Sequence, residues 1–502
     1  MNESRDKVCV HDIKEDSYDN NYYTIVTGDN ASGKSSLLSK AVNHFLFGRK
    51  NDGFIESAID LVYFSENNPS KIIALCNSKF DRFTSNPIFN KKINQRETTL
   101  TSMFYIHPEM SDHSRRGIAG IVDKCLKNSL RHKYIRDTFE SNSVSEAFSM
   151  FGLQPDLHLK CNLDTKNIKY ILDVFREYIN GVDIFSDRKA NSFFMKKHPD
   201  EEYLNNRNTI LDESIQIVLK KMDCDYDIHV IFDTLLMLDA GKFTIRDFGD
   251  IYFSVSERRL YSDSKSLILE FNEIDIIHCL FILDIINVSD IQVIHLGSNK
   301  KVSIVSLSSG QRTLFGHAIV LSSFVEKNCM ICIDEPENSL HPEWQLNFMR
   351  FISLLCPDSL EAHIFIATHS PQIISGMQFD NGCVLSLANR DDIDSIVIRK
   401  EHKYDYGNFN ELQPLRIYRE QSADKQLTGI FKSPGHKNDF IIRKLLLILS
   451  KCARKIRLTK DDNEFINEIN ILIEKNRIPE GDPVQLLLKQ VLSFQKAGVS
   501  ND

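Results

Sequence analysis

The chain has 502 residues, 61 Lys plus Arg against 69 Asp plus Glu, a formal net charge of −8 and 42% apolar residues. That is the composition of an ordinary globular protein with room for roughly three domains. The negative balance excludes a global attraction to nucleic acid or anionic membrane, so any such surface must be a local patch.

In chain order, the opening stretch MNESRDKVCVHDIKED lacks the apolar core of a signal peptide. The stretch TIVTGDNASGKSSLLSKAV then reads as a short strand that breaks at Gly28 and resumes as a helix after Gly33. Gly28 to Ser35 spells G-x-x-x-x-G-K-S, the P-loop. Its glycines let the backbone approach phosphates closely, and the exposed N–H groups cradle them. The candidate nucleotide-binding residues here are Gly28, Asn30, Gly33, Lys34, Ser35 and Ser36. Lys34 is suited to the β- and γ-phosphates of ATP, and the Ser35 hydroxyl to Mg²⁺.

Helical spacing follows in residues 117–139, with Ile121, Cys125, Leu126, Leu130, Tyr134 and Ile135 on one face, and again in 167–179 and 209–222. No heptad run is sustained, which argues against a long coiled coil. Strands are expected in 241–248, 250–256 and 265–271. The apolar run 274–288 is interrupted by Asp275, His278 and Asp284, so it reads as a buried helix and not a membrane span.

Residues 306–316, SLSSGQRTLFG, place a small polar turn directly before an apolar helix, where helix N-terminal amides can hold an anion. The run CMICIDEPENSLHP is an apolar strand ending in Asp334 and Glu335. Carboxylates at a strand's C-terminal end lie at the crevice of a parallel sheet. Asp334 is placed to hold Mg²⁺, directly or through water, and Glu335 to orient or deprotonate the attacking water. The next strand, in 363–370, ends in His369, a polar group suited to a γ-phosphate. Eleven cysteines are scattered without a disulfide-like pattern, which suits a reducing cytosol. The Cys329 and Cys332 pair reads as strand filling. Residues 383–400 read as a β-hairpin, and three helices follow in 438–456, 463–476 and 482–497, the last capped by Asp482 with Pro483 at its first position.

The ordered set of P-loop, SSGQ turn, strand with Asp-Glu and strand with Thr-His resembles the ABC-type ATPases. In that resemblance LSSGQ is the signature motif, ENSLH the D-loop and His369 the switch histidine. It implies that Ser308, Ser309, Gly310 and Gln311 close over the nucleotide of a second subunit, so the active unit is a homodimer with two shared sites. The family's usual third signature residue is glycine, where this chain has Ser309. DEPENSLHP with ATHSPQII is similar to the soluble branch that includes SMC-like, RecF-like and OLD-family ATPases. The separation of the P-loop from the signature implies an inserted domain. The expected fold class is α/β: an ABC-type head with a largely helical insertion and a helical C-terminal domain. The expected boundaries are 1–110 and 246–400 for the two ATPase lobes, 111–245 for the insertion and 401–502 for a helical, partner-docking domain.

Three further stretches carry a narrower resemblance: KIIALCNSKFDRF, IINVSDIQV with VSLSSGQR, and the compact helical tail in place of a nuclease domain. They resemble the ATPase subunits of bacterial anti-phage systems of the Septu type (PtuA-like), some encoded beside retrons. That resemblance implies an HNH nuclease partner held in check and, in retron-linked systems, a reverse transcriptase with its RNA–DNA product. Two alternatives stand beside it. An OLD-type nuclease would need a metal site, for which Asp392 and Asp394 fit D-x-D, although they fall in the expected hairpin. A RecF-type repair head would use basic clusters, one of Arg115, Arg116, Lys124, Lys127, Arg131, Lys133 and Arg136, the other of Arg443, Lys444, Lys451, Arg454, Lys455, Arg457 and Lys460.

Overall fold

The computed structural model describes residues 20–28, 33–47, 69–76, 101–105, 118–131, 141–169, 171–172, 228–262, 273–377, 381–387, 409–414, 421–429, 431 and 433–499. Several sequence expectations lie outside these residues: Asn30, the helix 209–222, the strand 265–271, Asp392 and Asp394, and Arg115, Arg116, Lys133 and Arg136.

Strand β1 (Tyr22–Gly28) feeds helix α1 (Lys34–Phe47), followed by β2 (Ile72–Cys76) and β3 (Thr101–Tyr105). Far along the chain come β9 (Met330–Asp334), β10 (His363–Ala367), β11 (Gly382–Leu387) and β12 (Phe409–Pro414). Together they form one sheet in the order β12-β11-β1-β10-β9-β2-β3, parallel except for the antiparallel β11–β12 edge. Its central strands are apolar and buried on both faces, as parallel strands must be. Of the hairpin expected over 383–400, residues 388–400 lie outside the described residues; among the described ones β11 pairs antiparallel with the distant β12.

Side-chain alternation along these strands divides the core in two. Val26, Ala74, Cys76, Met330, Cys332 and Phe365 face α1, packing with its Leu38 and Val42. Ile25, Ile73, Leu75, Ile331, Ile333, Ile364 and Ile366 face the other way. There they meet α2 (Ile118–Arg131), α3 (Ser141–Met150), α6 (Ser309–Phe324) and α7 (Pro342–Leu355). On α2, Ile121, Cys125 and Leu126 are buried at the expected helical spacing.

A second, antiparallel sheet shares this larger core. Its order is β6-β5-β4-β7-β8, from β4 (Leu153–Leu163), β5 (Ile251–Ser254), β6 (Arg259–Ser262), β7 (Ile286–His295) and β8 (Lys300–Ser303). Strand β4 lies within the stretch read as largely helical, yet it sits at the sheet's centre and bonds to β5 and β7 from beyond residue 245. Helix also occurs at 165–169 and 171–172, and the further helices of this region are α4 (Ile228–Asp239) and α5 (Glu273–Ile282).

Two local expectations are corrected. Residues 241–248 form a turn and the 3₁₀ helix Ile245–Phe248, because Thr244 and Asp247 make a capping box that favours helix over strand. The apolar run 274–288 divides: α5 ends at Ile282 and β7 begins at Ile286, with Asp284 at φ 56° turning the chain between them. Among the described residues no helix is long and apolar enough to cross a membrane.

The short α8 (Pro371–Ser375) and α9 (Ala423–Gly429) lead to the C-terminal helices α10 (Asp439–Ala453), α11 (Lys460–Glu474) and α12 (Pro483–Val499). Ile441, Leu445, Phe465, Ile469, Val484 and Leu488 give these three helices their own core. Asp482 accepts the Val484 N–H at 2.9 Å, so the cap expected ahead of Pro483 is made.

Two core histidines stay neutral. Burial first, opposed at His317 by the Thr313 carbonyl, depresses both His317 of α6 and His363 of β10 from 6.5 to about 3. The stability each contributes is complete above pH 6.5 and is lost as the pH falls toward 3, at about 1.4 kcal/mol per pH unit per ring. Replacing His317 by Leu should therefore reduce acid sensitivity. Between pH 7.5 and 5, thermal melts of His317→Leu should gain roughly 2 kcal/mol on the parent chain. Parallel melting curves across that range would show that His317 does not carry the effect.

Candidate active site

Parallel register brings the carboxyl ends of four strands level. Val26 pairs with Ala367, and Ala367 and Cys76 both pair with Asp334. The segment after β1, the carboxylates after β9 and the polar turn after β10 thus open on one crevice, where such sheets bind ligands.

Gly28 and Gly33 bracket the P-loop at φ 149° and 99°, and Gly33 needs glycine for its left-handed backbone and not for space. Lys34 opens α1 and is buried, with its Nζ donating to the Gly28 carbonyl at 3.1 Å. Nδ1 of His369 lies 3.3 Å from the same Nζ. An ammonium only donates, so His369 accepts through Nδ1 and carries its proton on Nε2. That Nε2 faces Glu335 Oε1 at 4.0 Å. Lys34, His369 and Glu335 therefore form a continuous polar path. Ser35 and Ser36 follow on the first turn of α1.

The Ser35 hydroxyl donates to Asp334 Oδ1 at 3.1 Å. The structure contains no ions, but this pair fits a hard cation: both atoms are oxygens, and cis ligands of an octahedron with bonds near 2.1 Å lie roughly 3 Å apart. The Cys76 thiol, 4.0 Å from Asp334 Oδ2, holds the other carboxylate oxygen. No cluster of three or more His, Cys, Asp or Glu able to hold a metal occurs among the described residues. Any metal here must complete its shell with ligands such as water or phosphate, as Mg²⁺ commonly does.

Glu335 sits at φ 49°, a left-handed conformation costly for a side chain of this size and characteristic of functional turns. Its N–H bonds to the Ala367 carbonyl at 2.9 Å, and Asn338 Nδ2 donates to Oε2 at 2.9 Å.

The sequence did not mark Glu337 as a site residue. Its carboxylate accepts the Thr368 hydroxyl at 2.9 Å and the His369 backbone N–H. Burial raises its pKa above the ordinary carboxylate value, while the His369 N–H and the Thr368 hydroxyl pull it down. It fixes the turn that presents His369. Only the fold could reveal it, since 31 residues separate it from Thr368.

The signature residues are not in this cluster. Ser308 caps α6, accepting the Gln311 N–H at 3.2 Å, and the Gln311 side chain reciprocates as a capping box. Gln311 Nε2 also donates to the Phe151 carbonyl at 3.1 Å. Ser308 and Ser309 are exposed and Gly310 is buried. Ser309 is the first residue of α6 and is absent from the residues with positive φ, so a serine replaces the family's usual glycine there without strain. The α6 helix packs on the sheet face opposite α1.

Residues 160–375 match the model of a family described as "AAA domain, putative AbiEii toxin, Type IV TA system". No curated protein matches. Among solved structures, the chain is similar to the Smc head domain of Pyrococcus furiosus with an extended coiled coil, bound to the C-terminal domain of ScpA. Identity is 13%, coverage 75% of this chain and 88% of that one, and the TM-score 0.26. It is also similar to the Smc head domain of Pyrococcus yayanosii with a coiled coil and joint, at 12% identity, 74% and 91% coverage and a TM-score of 0.25.

Replacing Glu337 by Ala would leave the part-buried His369 N–H without its acceptor, at a cost of about 1 kcal/mol or more. The variant should melt lower and, on the function proposed below, hydrolyse ATP at least about tenfold more slowly. Glu337→Gln, which keeps an acceptor oxygen, should recover part of both. Unchanged turnover in Glu337→Ala would remove Glu337 from the site.

Proposed function

We propose that this chain is a Mg·ATP-binding and hydrolysing ABC-type ATPase that dimerises head to head, with two nucleotide sites shared between protomers. The observation that carries this reading is the convergence of Lys34, Ser35, Asp334, Glu335 and His369 where β1, β9 and β10 end. In the proposed chemistry Lys34 holds the terminal phosphates. Ser35 and Asp334 supply oxygens to Mg²⁺, whose chemistry would be to neutralise phosphate charge. Glu335, steadied by Asn338, accepts the proton of the attacking water, and His369 donates from Nε2 toward the transferred phosphate. Ser308, Ser309, Gly310 and Gln311 act on the partner's nucleotide, which fits the exposure of Ser308 and Ser309 and the place of α6 on the far sheet face.

At the level of the cell, the proposal is that the ATPase scaffolds and restrains an HNH nuclease in bacterial anti-phage defence, with a retron reverse transcriptase and its RNA–DNA as further partners. Support comes from the sequence resemblance to Septu-type subunits and from the toxin–antitoxin description of the matched family. The C-terminal three-helix unit, with its own core, is the proposed docking platform.

Three variants test the enzymatic part. Lys34→Ala should lose ATP binding. Glu335→Gln should bind ATP normally, accumulate as a dimer and hydrolyse roughly 10²-fold more slowly or worse. Ser309→Arg should bind ATP as the single chain does and fail to dimerise. Normal turnover in Glu335→Gln, or equal loss of binding and dimerisation in Ser309→Arg, would overturn the assignment. Co-purification with the products of neighbouring genes tests the nuclease partner, and an ATPase recovered without any nuclease would contradict that part alone.

A further inference from the structure

The turn that carries His369 is bonded through two short helices to the C-terminal unit. Ser370 follows His369 and caps α8, its Oγ accepting the Ile373 N–H at 3.4 Å. At its far end α8 is pressed against α7, where a Cβ on Gly376 would collide with the Leu346 carbonyl. That end has no room to shift. The His369 end is held to α7 by a side-chain bond, from Ser370 Oγ to Gln345 Oε1 at 2.6 Å, which can turn with it. Any displacement of α8 is therefore a tilt about Gly376, led by the His369 end.

Gln426 of α9 grips α8 along its length, and its side chain is fully buried. With the amide oriented to suit its neighbours, the nitrogen donates to the Pro371 carbonyl at 2.9 Å. The oxygen accepts the Ser375 hydroxyl at 3.0 Å and the Ser375 N–H at 3.2 Å. A carboxamide carries both a donor and an acceptor, so one side chain holds both ends of this single turn. Leaving such buried groups unpaired is costly, so α9 follows α8 when it tilts.

Beyond α9, the Asp424 carbonyl accepts Asn438 Nδ2 at 3.1 Å, and the Asp424 carboxylate accepts the Asp439 N–H at 3.2 Å. Asn438 is the buried cap of α10, its Oδ1 accepting the Ile441 N–H at 3.0 Å. The connection 433–438 is fixed on both sides. Ser433 N–H bonds to the Leu427 carbonyl at 3.0 Å, and Asp482, just ahead of α12, accepts the Lys437 N–H at 2.7 Å. Bonded contacts thus run without a gap from the His369 turn to the first turns of α10 and α12.

Resting on the ATP-site reading above, we propose that Gln426 is a positioning residue that makes the C-terminal three-helix unit respond to the nucleotide held at His369. A terminal phosphate bonded to the His369 ring fixes the turn 368–370. The leading end of α8 takes the position this requires, and Gln426 carries α9 and the Asn438 cap with it. The phosphate contacts one of the two positions and not the other, so ATP shifts the population between them. The three-helix unit is the docking platform proposed above, and its seating on the head then reports whether ATP is bound.

Hydrogen exchange of the full chain, with and without Mg·ATP, separates these links. In the parent, Mg·ATP should slow exchange in residues 34–47 and, by at least about threefold, in 438–448. His369→Ala and Gln426→Met should keep the protection of 34–47 and lose that of 438–448. So should Asn438→Ser, which keeps a cap on α10 and removes the donor to Asp424. A purely structural role of Gln426 would raise exchange with and without ATP alike and leave the difference intact. Parent exchange in 438–448 that ATP leaves unchanged, or a retained difference in any folded variant of the three, would overturn the coupling and leave the ATP site standing. No ATP protection of 34–47 in the parent would overturn both.

Discussion

The division of one parallel sheet into two faces governs the rest of this protein. Strand side chains alternate, so Val26, Cys332 and Phe365 bury α1 on one face while Ile25, Ile331 and Ile366 bury α6 on the other. The phosphate loop opens α1, and the serine-rich turn opens α6. On the proposed reading, a single chain thus carries the two ends of an ATP site on opposite sides of its own core. A one-residue slip in any of these strands would turn its apolar set to the wrong face, so burial itself fixes the arrangement.

On the side of the phosphate loop the crevice is built by register. Because Asp334 is level with both Ala367 and Cys76, the carboxylate after β9 and the histidine after β10 arrive beside Lys34 without any long connecting structure. The strain at Glu335, in the left-handed region, is held by its backbone bond to Ala367 and by the bonded loop that follows. Glu337 then ties that loop to the turn bearing His369. A few residues in 335–344 thus link Glu335, His369 and the turn that opens α6, and a change at any one of them should be felt at the others.

Much of this was legible in the sequence because the motifs combine residue type with fixed spacing. Gly28 to Ser35, Asp334 with Glu335, and the capped C-terminal helices carry their chemistry locally, and local bonds decide their structure. Glu337 and Trp344 were not legible, since each works on a residue distant in sequence: Glu337 on Thr368 and His369, Trp344 on Gly310. The departure at Ser309 also resolves only in three dimensions, where the exposed position tolerates a side chain and the buried Gly310 does not. Residues 241–248 form a 3₁₀ turn in place of the expected strand, and 274–288 keep the expected buried helix only as far as Ile282, because apolar periodicity is ambiguous in short runs. A capping box and a left-handed Asp284 settled them instead. The strand β4 escaped notice because its partners come from a stretch roughly ninety residues or more downstream.

The central claim, that the active unit is assembled across two copies, is tested most directly by mixing two inactive chains. Lys34→Ala removes one end of the site and Ser309→Arg the other, so each alone should be silent. In a mixed dimer one site collects both lesions and the other is free of them. Random pairing should restore hydrolysis to roughly a quarter of the parent rate. A mixture as silent as its separate components would contradict the account.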